Sequence, residues 1–307
     1  MQTIIGSGGA IGVPLAKELS VYTKDIRLVS RNPKKVNETD QLHPCDLKDF
    51  SSIDAAIAGS DIVYVTVGFE YNIKVWQAVW PPFMRAVVDA CIKHKAKLVF
   101  FDNIYSYDPK AVGMLTEDAP LNPSSKKGRV RKSLVDMINK EVAAGTLTAM
   151  IVRAADFYGP AVNTSVLIEM AAKPMKAGKT ANAMGNIDKI HTYTYTPDAG
   201  KATAVLGNTP DAYNQVWHLP TTKEKLTTRQ WMEMAAKEIG VQPKIRVAPM
   251  WMLKLMGWFV PVMREFPEMM YQFDNDYIFD STKFEKRFGI TATKPETGIK
   301  EMVAAMN

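Results

Sequence analysis

Apolar residues along the 307-residue chain gather in short runs separated by longer amphipathic stretches. Positions 2–5, 26–29, 62–67, 98–101 and 149–152 are compact runs rich in β-branched, aliphatic and aromatic side chains, the pattern of strands covered on both faces. Between them, apolar positions at three- and four-residue spacing predict helices over 11–19, 51–58, 75–94 and 124–144. This alternation predicts parallel βαβ units, whose right-handed crossovers return every strand to one sheet. The expected fold class is therefore α/β, a doubly wound parallel sheet with a smaller, mostly helical C-terminal region.

The alternation becomes irregular after Gly159-Pro160. Helix starts follow at Thr196-Pro197-Asp198 and at Thr228, the latter stopping at Gly240, and two terminal helices are expected over 281–288, closed by Gly289, and 295–306. A first domain is expected over 1–160, completed by part of 190–220, with a substrate-side region over 161–307. No internal repeat or low-complexity tract interrupts either.

Gly6, Gly9 and Gly12 follow the first strand and open the first helix, with Ser7, Gly8, Ala10 and Ile11 between them. In that context a GxxGxxG pattern lets a pyrophosphate approach backbone N–H groups and the positive end of a helix dipole, because no side chain stands in the way. The segment predicts a Rossmann-type domain that binds a nicotinamide dinucleotide. The second strand ends in Val29-Ser30-Arg31, where an acidic residue would hold a ribose 2′-hydroxyl. Ser30 and Arg31 suit a 2′-phosphate instead, so NADP(H) is the preferred cofactor and NAD(H) stays open. Asp46 and Leu47 fall where an adenine pocket would lie, Val67 and Gly68 where a loop would line the cofactor, and Asn103 follows the next strand. For Asp46, adenine binding and helix capping are equal alternatives.

Composition changes this picture little. A formal charge of +6, from 38 basic and 32 acidic residues, is spread along the chain and suits an anionic ligand. The basic cluster at 126–132 lacks the interleaved aromatic residues that stack on bases, so a nucleic-acid partner is not expected. Two cysteines, Cys45 and Cys91, form no CxxC pair and no ligand set with histidine, which argues against a disulfide framework or a metal site and for a reducing, cytoplasmic setting. No basic leader precedes an apolar run, and the most apolar stretch, 249–262, carries Lys254 and is too short to cross roughly 30 Å of hydrocarbon, so no membrane partner is expected.

With GSGGAIG, SRNP, CDLKD, FFDNIYSYDP, RAADFYGP, HTYTYTPDAG and DSTKFEKRFG in this order, the chain resembles the extended or atypical short-chain dehydrogenase/reductase superfamily, in the branch of NAD-dependent epimerase/dehydratase-like proteins. The resemblance implies a Tyr-xxx-Lys pair on the helix after the fifth strand, in which lysine helps tyrosine exchange a proton with a substrate oxygen. Here that place reads Lys127-Gly128-Arg129-Val130-Arg131, and none of the eleven tyrosines has a lysine four residues later. Lys127 and Arg131 share a helix face, turned either to the cofactor or an anionic substrate, or to solvent. The resemblance leaves Tyr105, after strand five, and Tyr158, after strand six, as candidate proton donors beside Lys127, with water as a further source. Tyr107, before Asp108-Pro109, reads as a turn residue.

The implied activity is an NADP-dependent oxidoreductase acting on a small carbonyl or conjugated substrate. A sugar-nucleotide epimerase or dehydratase, and a non-catalytic NADP(H) sensor resembling the NmrA-like regulators, are the alternatives. The helices over 75–94 and 124–144 match those that pair in dimeric relatives, which leaves a homodimer open. His191, Tyr193 and Tyr195 alternate along one side of a strand-like segment, either a polar cleft wall or an exposed edge. Arg153 and Asp156 are expected to pair with each other. Trp251, Met252, Leu255, Met256, Trp258 and Phe259, with Met263, Met269, Met270, Tyr271 and Phe273, read as core, as an adaptable apolar wall for the substrate, or as a patch for a membrane surface or a second subunit.

Overall fold

The computed structural model describes residues 1–160, 162, 165–248, 258 and 261–306. Trp251, Met252, Leu255, Met256 and Phe259 lie outside the described residues. In chain order the strands are β1 (Gln2–Ile5), β2 (Ile26–Ser30), β3 (Gln41–Pro44), β4 (Ile62–Val65), β5 (Lys97–Asp102), β6 (Ala149–Arg153), β7 (Asp156–Tyr158), β8 (Ala181–Met184), β9 (Tyr193–Tyr195), β10 (Val216–His218) and β11 (Ile245–Ala248). The helices are α1 (Gly12–Leu19), α2 (Ile53–Ile57), α3 (Ile73–His94), α4 (Lys126–Ala143), α5 (Lys173–Lys176), α6 (Thr196–Gly207) and α7 (Thr228–Ile239), followed by Tyr271–Asp274, Thr282–Phe288 and Pro295–Ala304. No helix among the described residues is long and apolar enough to cross a membrane.

The chain divides into two units. Unit 1 comprises Met1–Ser106, Lys127–Arg153 and Ala199–Leu219, and unit 2 comprises Tyr107–Lys126, Ala154–Asp198 and Pro220–Asn307. The division is more interleaved than a boundary at 160: 107–126 and 154–160 group with the later residues, and 199–219 with the earlier ones.

Unit 1 is the doubly wound domain. Its seven strands stand in the order β10-β6-β5-β4-β1-β2-β3, and every neighbouring pair is parallel. Strand order reverses beside β1, with β2 and β3 added on one side and β4, β5, β6 and β10 on the other. That reversal opens a crevice at the carboxyl ends of β1 and β4, where ligands of open α/β sheets bind. Residues of β1 and β4 are buried on both faces, which their unbroken apolar runs require. β3 forms the outer edge and is mostly exposed, so its residues, Gln-Leu-His-Pro, carry no apolar run.

Unit 2 contains two small parallel pairs, β7 with β9 and β8 with β11. Helix α7 begins with a capping box, in which the Thr227 hydroxyl accepts from the Gln230 N–H and the Gln230 side chain accepts from the Thr227 N–H, and it ends at Gly240 in the left-handed conformation. Both ends match the sequence expectation.

Candidate active site

The glycine loop is shaped by what a methyl group would meet. Gly6 has φ +94°, and a Cβ there would lie 2.6 Å from the Val67 backbone; a Cβ on Gly12 would lie 2.5 Å from the Gly6 carbonyl oxygen and 2.7 Å from the Ser7 Cα. Gly8, by contrast, is exposed and meets nothing within 4 Å. Gly6 and Gly12 thus close the turn, and Gly8 leaves its outer face bare. Gly9 donates to the Gly6 carbonyl at 3.1 Å, and Gly6 donates to Val29 at 2.9 Å, which ties the loop to β2.

Two features of this loop call for a ligand. Ile11, at the N-cap of α1, has no side-chain oxygen to cap the first turn; Val13 donates to the Gly9 carbonyl at 3.3 Å and Pro14 carries no N–H, which leaves the Gly12 N–H to an external acceptor. The buried Ser7 hydroxyl has no hydrogen-bond partner among the described residues. A pyrophosphate would satisfy both. The residues present therefore fit a dinucleotide, with Ala10 half-buried at the helix entry.

The neighbouring strand ends line the same edge of the sheet. Arg31 is exposed just beyond half-buried Ser30. Arg27 is not available for a ligand in the same way, because it donates to the Ala56 and Ala58 carbonyls at 2.9 Å each. Asp46 is exposed and accepts from the Lys48 N–H at 3.1 Å, so it holds its own turn, while Leu47 beside it is buried. Val67 covers Gly6, Gly68 is exposed with open space above it, and Asn103 accepts from the Tyr105 N–H at 3.0 Å.

At the end of β5 and the start of α4 lies a buried charged cluster. Arg131 donates to Asp102 Oδ1 at 2.7 Å, and Arg153 donates to Asp102 Oδ2 at 3.2 Å and to the Ser106 hydroxyl at 2.9 Å. The Arg131 guanidinium also lies 4.4 Å from the Trp80 ring centroid and 4.7 Å from that of Phe100. Lys127 is fully buried, its Nζ 4.7 Å from the Tyr71 ring centroid. These positions correct two expectations. Lys127 and Arg131 do not form a solvated face, because the turn of α4 that carries them packs against aromatic rings. Arg153, expected on Asp156, meets Asp102 and Ser106, while Asp156 meets His191, each within its own unit.

Tyr105 is half-buried, its ring nearly parallel to Trp76 at 6.2 Å and 23°, and its hydroxyl 3.3 Å from the Tyr71 hydroxyl. Tertiary packing thus brings Lys127, Tyr71 and Tyr105 together without helical i, i+4 spacing. Asp102, Tyr71 and Trp76 were not singled out from sequence. The aromatic recurrence Trp76, Trp80, Phe83 on one face of α3 carried the signal.

The remaining candidates lie in unit 2. Tyr158 is buried against Trp231 at 4.9 Å, and a Cβ on Gly298 would come within 2.7 Å of its ring and hydroxyl. Burial, with smaller contributions from Asp198 and Tyr195, pushes its phenol far above the ordinary range. Tyr193 and Tyr195 are buried and shifted upward in the same way, burial again the first cause. His191 is also buried: its Nε2 meets Asp156 at 2.9 Å and its ring stacks on Phe273 at 4.9 Å. The segment 191–195 is therefore interior, neither an exposed edge nor an open wall. Tyr107 is buried, and the turn is made by Asp108, which accepts from the Lys110 N–H at 2.9 Å. Met269, Met270 and Phe273 join buried apolar residues, as the core reading of that stretch expects, whereas Trp258 is 76% exposed.

Against known proteins, the model of the NAD dependent epimerase/dehydratase family matches residues 3–218. A UDP-glucose 4-epimerase from Thermus thermophilus, solved with NAD, is 16% identical with a TM-score of 0.80, covering 99% of this chain and 98% of that one. The dTDP-glucose 4,6-dehydratase DesIV from Streptomyces venezuelae is 15% identical with a TM-score of 0.81, covering 99% and 96%. An uncharacterized protein, y4nL, from Sinorhizobium fredii is 28% identical over 123 residues, which span 38% of this chain and 35% of that protein.

Proposed function

Because the chain belongs to the NAD dependent epimerase/dehydratase family, we propose that it is an NADP(H)-dependent oxidoreductase whose substrate is a small carbonyl or conjugated compound. The cofactor, when bound, supplies or accepts the hydride. Gly6, Ser7, Gly8, Gly9 and the N-terminus of α1 would hold its pyrophosphate, and Ser30 with Arg31 its 2′-phosphate. The observation that carries the reading is the grouping of Lys127, Tyr71 and Tyr105, a buried ammonium beside two facing phenols. Tyr105, half-exposed like Tyr71, is the one assigned to donate a proton to the substrate oxygen.

The test is purified protein with NADPH and NADH against ketones, enones and nucleotide sugars. NADPH is expected to bind ten- to a hundredfold more tightly than NADH, since charged hydrogen bonds contribute roughly 1.5–3 kcal/mol, and Arg31→Ala is expected to remove most of that difference. Tight NADPH binding with no turnover across the panel defeats the oxidoreductase reading. A sugar-nucleotide epimerase or dehydratase is the second reading, favoured by the family match over 3–218. Purification with retained NAD and turnover of a nucleotide sugar would establish it instead.

A further inference from the structure

We propose that Trp76, Tyr71 and Tyr105 form a subsite for a flat aryl or conjugated carbonyl compound whose oxygen accepts a hydrogen bond from the Trp76 indole. The proposal rests on the oxidoreductase reading for its chemistry and names the substrate class of that site. Trp76 is 6% exposed, and its Nε1–H has no acceptor among the described residues. An indole nitrogen can only donate, and a buried donor left unpaired is costly enough that proteins seldom keep one without a use. The Trp80 indole is likewise unpaired, but the Phe69, Phe83 and Phe100 rings surround it. Trp76 has Tyr105 nearly parallel at 6.2 Å and Tyr71 edge-on at 5.7 Å, both half-exposed.

The polar group that calls for a ligand here is a donor, and its match is an acceptor. The Tyr71 and Tyr105 hydroxyls lie 3.3 Å apart, within hydrogen-bonding distance, which fixes both rings beside the indole. The carboxylate of the neighbouring cluster, Asp102, has one oxygen on Arg131 and the other on Arg153. A sugar hydroxyl can also accept such a bond, but a pyranose ring offers C–H groups and no π-face to the tyrosines. A planar ketone brings an acceptor oxygen and a π-face for the tyrosine rings.

Isothermal titration of the full-length protein, with and without NADP⁺, would compare acetophenone, cyclohexyl methyl ketone and UDP-glucose. Acetophenone and its cyclohexyl counterpart share the carbonyl and differ in flatness. Acetophenone is expected to bind about three- to tenfold more tightly than cyclohexyl methyl ketone. Trp76→Phe, which keeps a ring and removes the N–H, is expected to weaken acetophenone about two- to tenfold and leave NADP⁺ affinity unchanged. Tyr105→Leu is expected to erase the preference for the flat ketone, and it decides the question if Trp76→Phe does not fold. Equal binding of the two ketones, stronger binding of UDP-glucose, or full affinity in the variants would overturn the proposal. If NADP⁺ fails to bind but the ketone preference and its Trp76 dependence hold, the oxidoreductase reading falls and the subsite stands.

Discussion

Two tyrosine clusters, one in each unit, put the same side chain in different surroundings. In unit 1, Tyr71 and Tyr105 are half-exposed, face each other at 3.3 Å, and lie beside the buried ion cluster of Asp102, Arg131 and Arg153. In unit 2, Tyr158, Tyr193 and Tyr195 are buried around Trp231, and burial drives their phenols to hold their protons well beyond any ordinary pH. The first arrangement leaves the two residues partly exposed, with their hydroxyls facing each other. The second uses rings as packing volume. A tyrosine placed after a strand end is thus ambiguous until its neighbours are known.

The largest effect that could break this comparison lies in the charged frame. Asp102→Ala leaves two buried guanidiniums without their shared carboxylate and is expected to destabilise the protein by about 3–5 kcal/mol in urea unfolding. Asp156→Ala, which removes a single hydrogen-bond partner of His191, is expected to cost about 1 kcal/mol. Equal losses would erase the distinction between an ion-paired frame and a packed one. Next in size, Tyr105→Phe is expected to lower kcat on an aryl ketone about a hundredfold, the low end for loss of a general acid, while Tyr158→Phe leaves kcat nearly unchanged. The opposite ranking would move the chemistry to unit 2.

The smallest effect is alkaline. Burial pushes the Cys91 thiol from 9.0 up to about 12 in the folded protein. Unfolding releases that proton at lower pH, so the stability it contributes is complete below 9 and declines as pH rises toward 12. Cys91→Ala is expected to flatten the decline by about 1 kcal/mol between pH 9 and 10, where the unfolded thiol is still partly protonated. Tyr193→Phe should act only above its ordinary value of 10.0, which separates the thiol of unit 1 from the phenols of unit 2 along one titration.

Much of unit 1 was legible because its central strands are covered on both faces and so read as unbroken apolar runs. β3 was not, since an exposed edge strand needs no such run, and β8, β10 and β11 are too short to show a period. The glycine loop was legible for a steric reason, seen in the Cβ positions of Gly6 and Gly12. The basic turn of α4 was only half legible: the spacing put Lys127 and Arg131 on one face, but burial of that face depends on Tyr71, Trp80 and Phe100, which are remote in sequence. Arg153 was assigned the nearest acid in the chain, whereas parallel pairing of β5 with β6 sets it directly opposite Asp102. Proximity along the chain was the wrong guide across a sheet.

Unit 1 is assembled from three separate stretches of chain, and β10, the edge strand opposite β3, comes from the last of them. No single cut in the gene can therefore liberate the nucleotide-binding half. A fragment ending near residue 160 would lack Val216–His218 and present the bare backbone of β6 as a sticky edge, inviting aggregation. Recombination between relatives meets the same obstacle, since a crossover that keeps this unit whole must fall beyond residue 219 and carries 107–126 and 154–198 of the other unit with it. Only 220–307 can then be traded on its own, while the earlier stretches of unit 2 are inherited with unit 1.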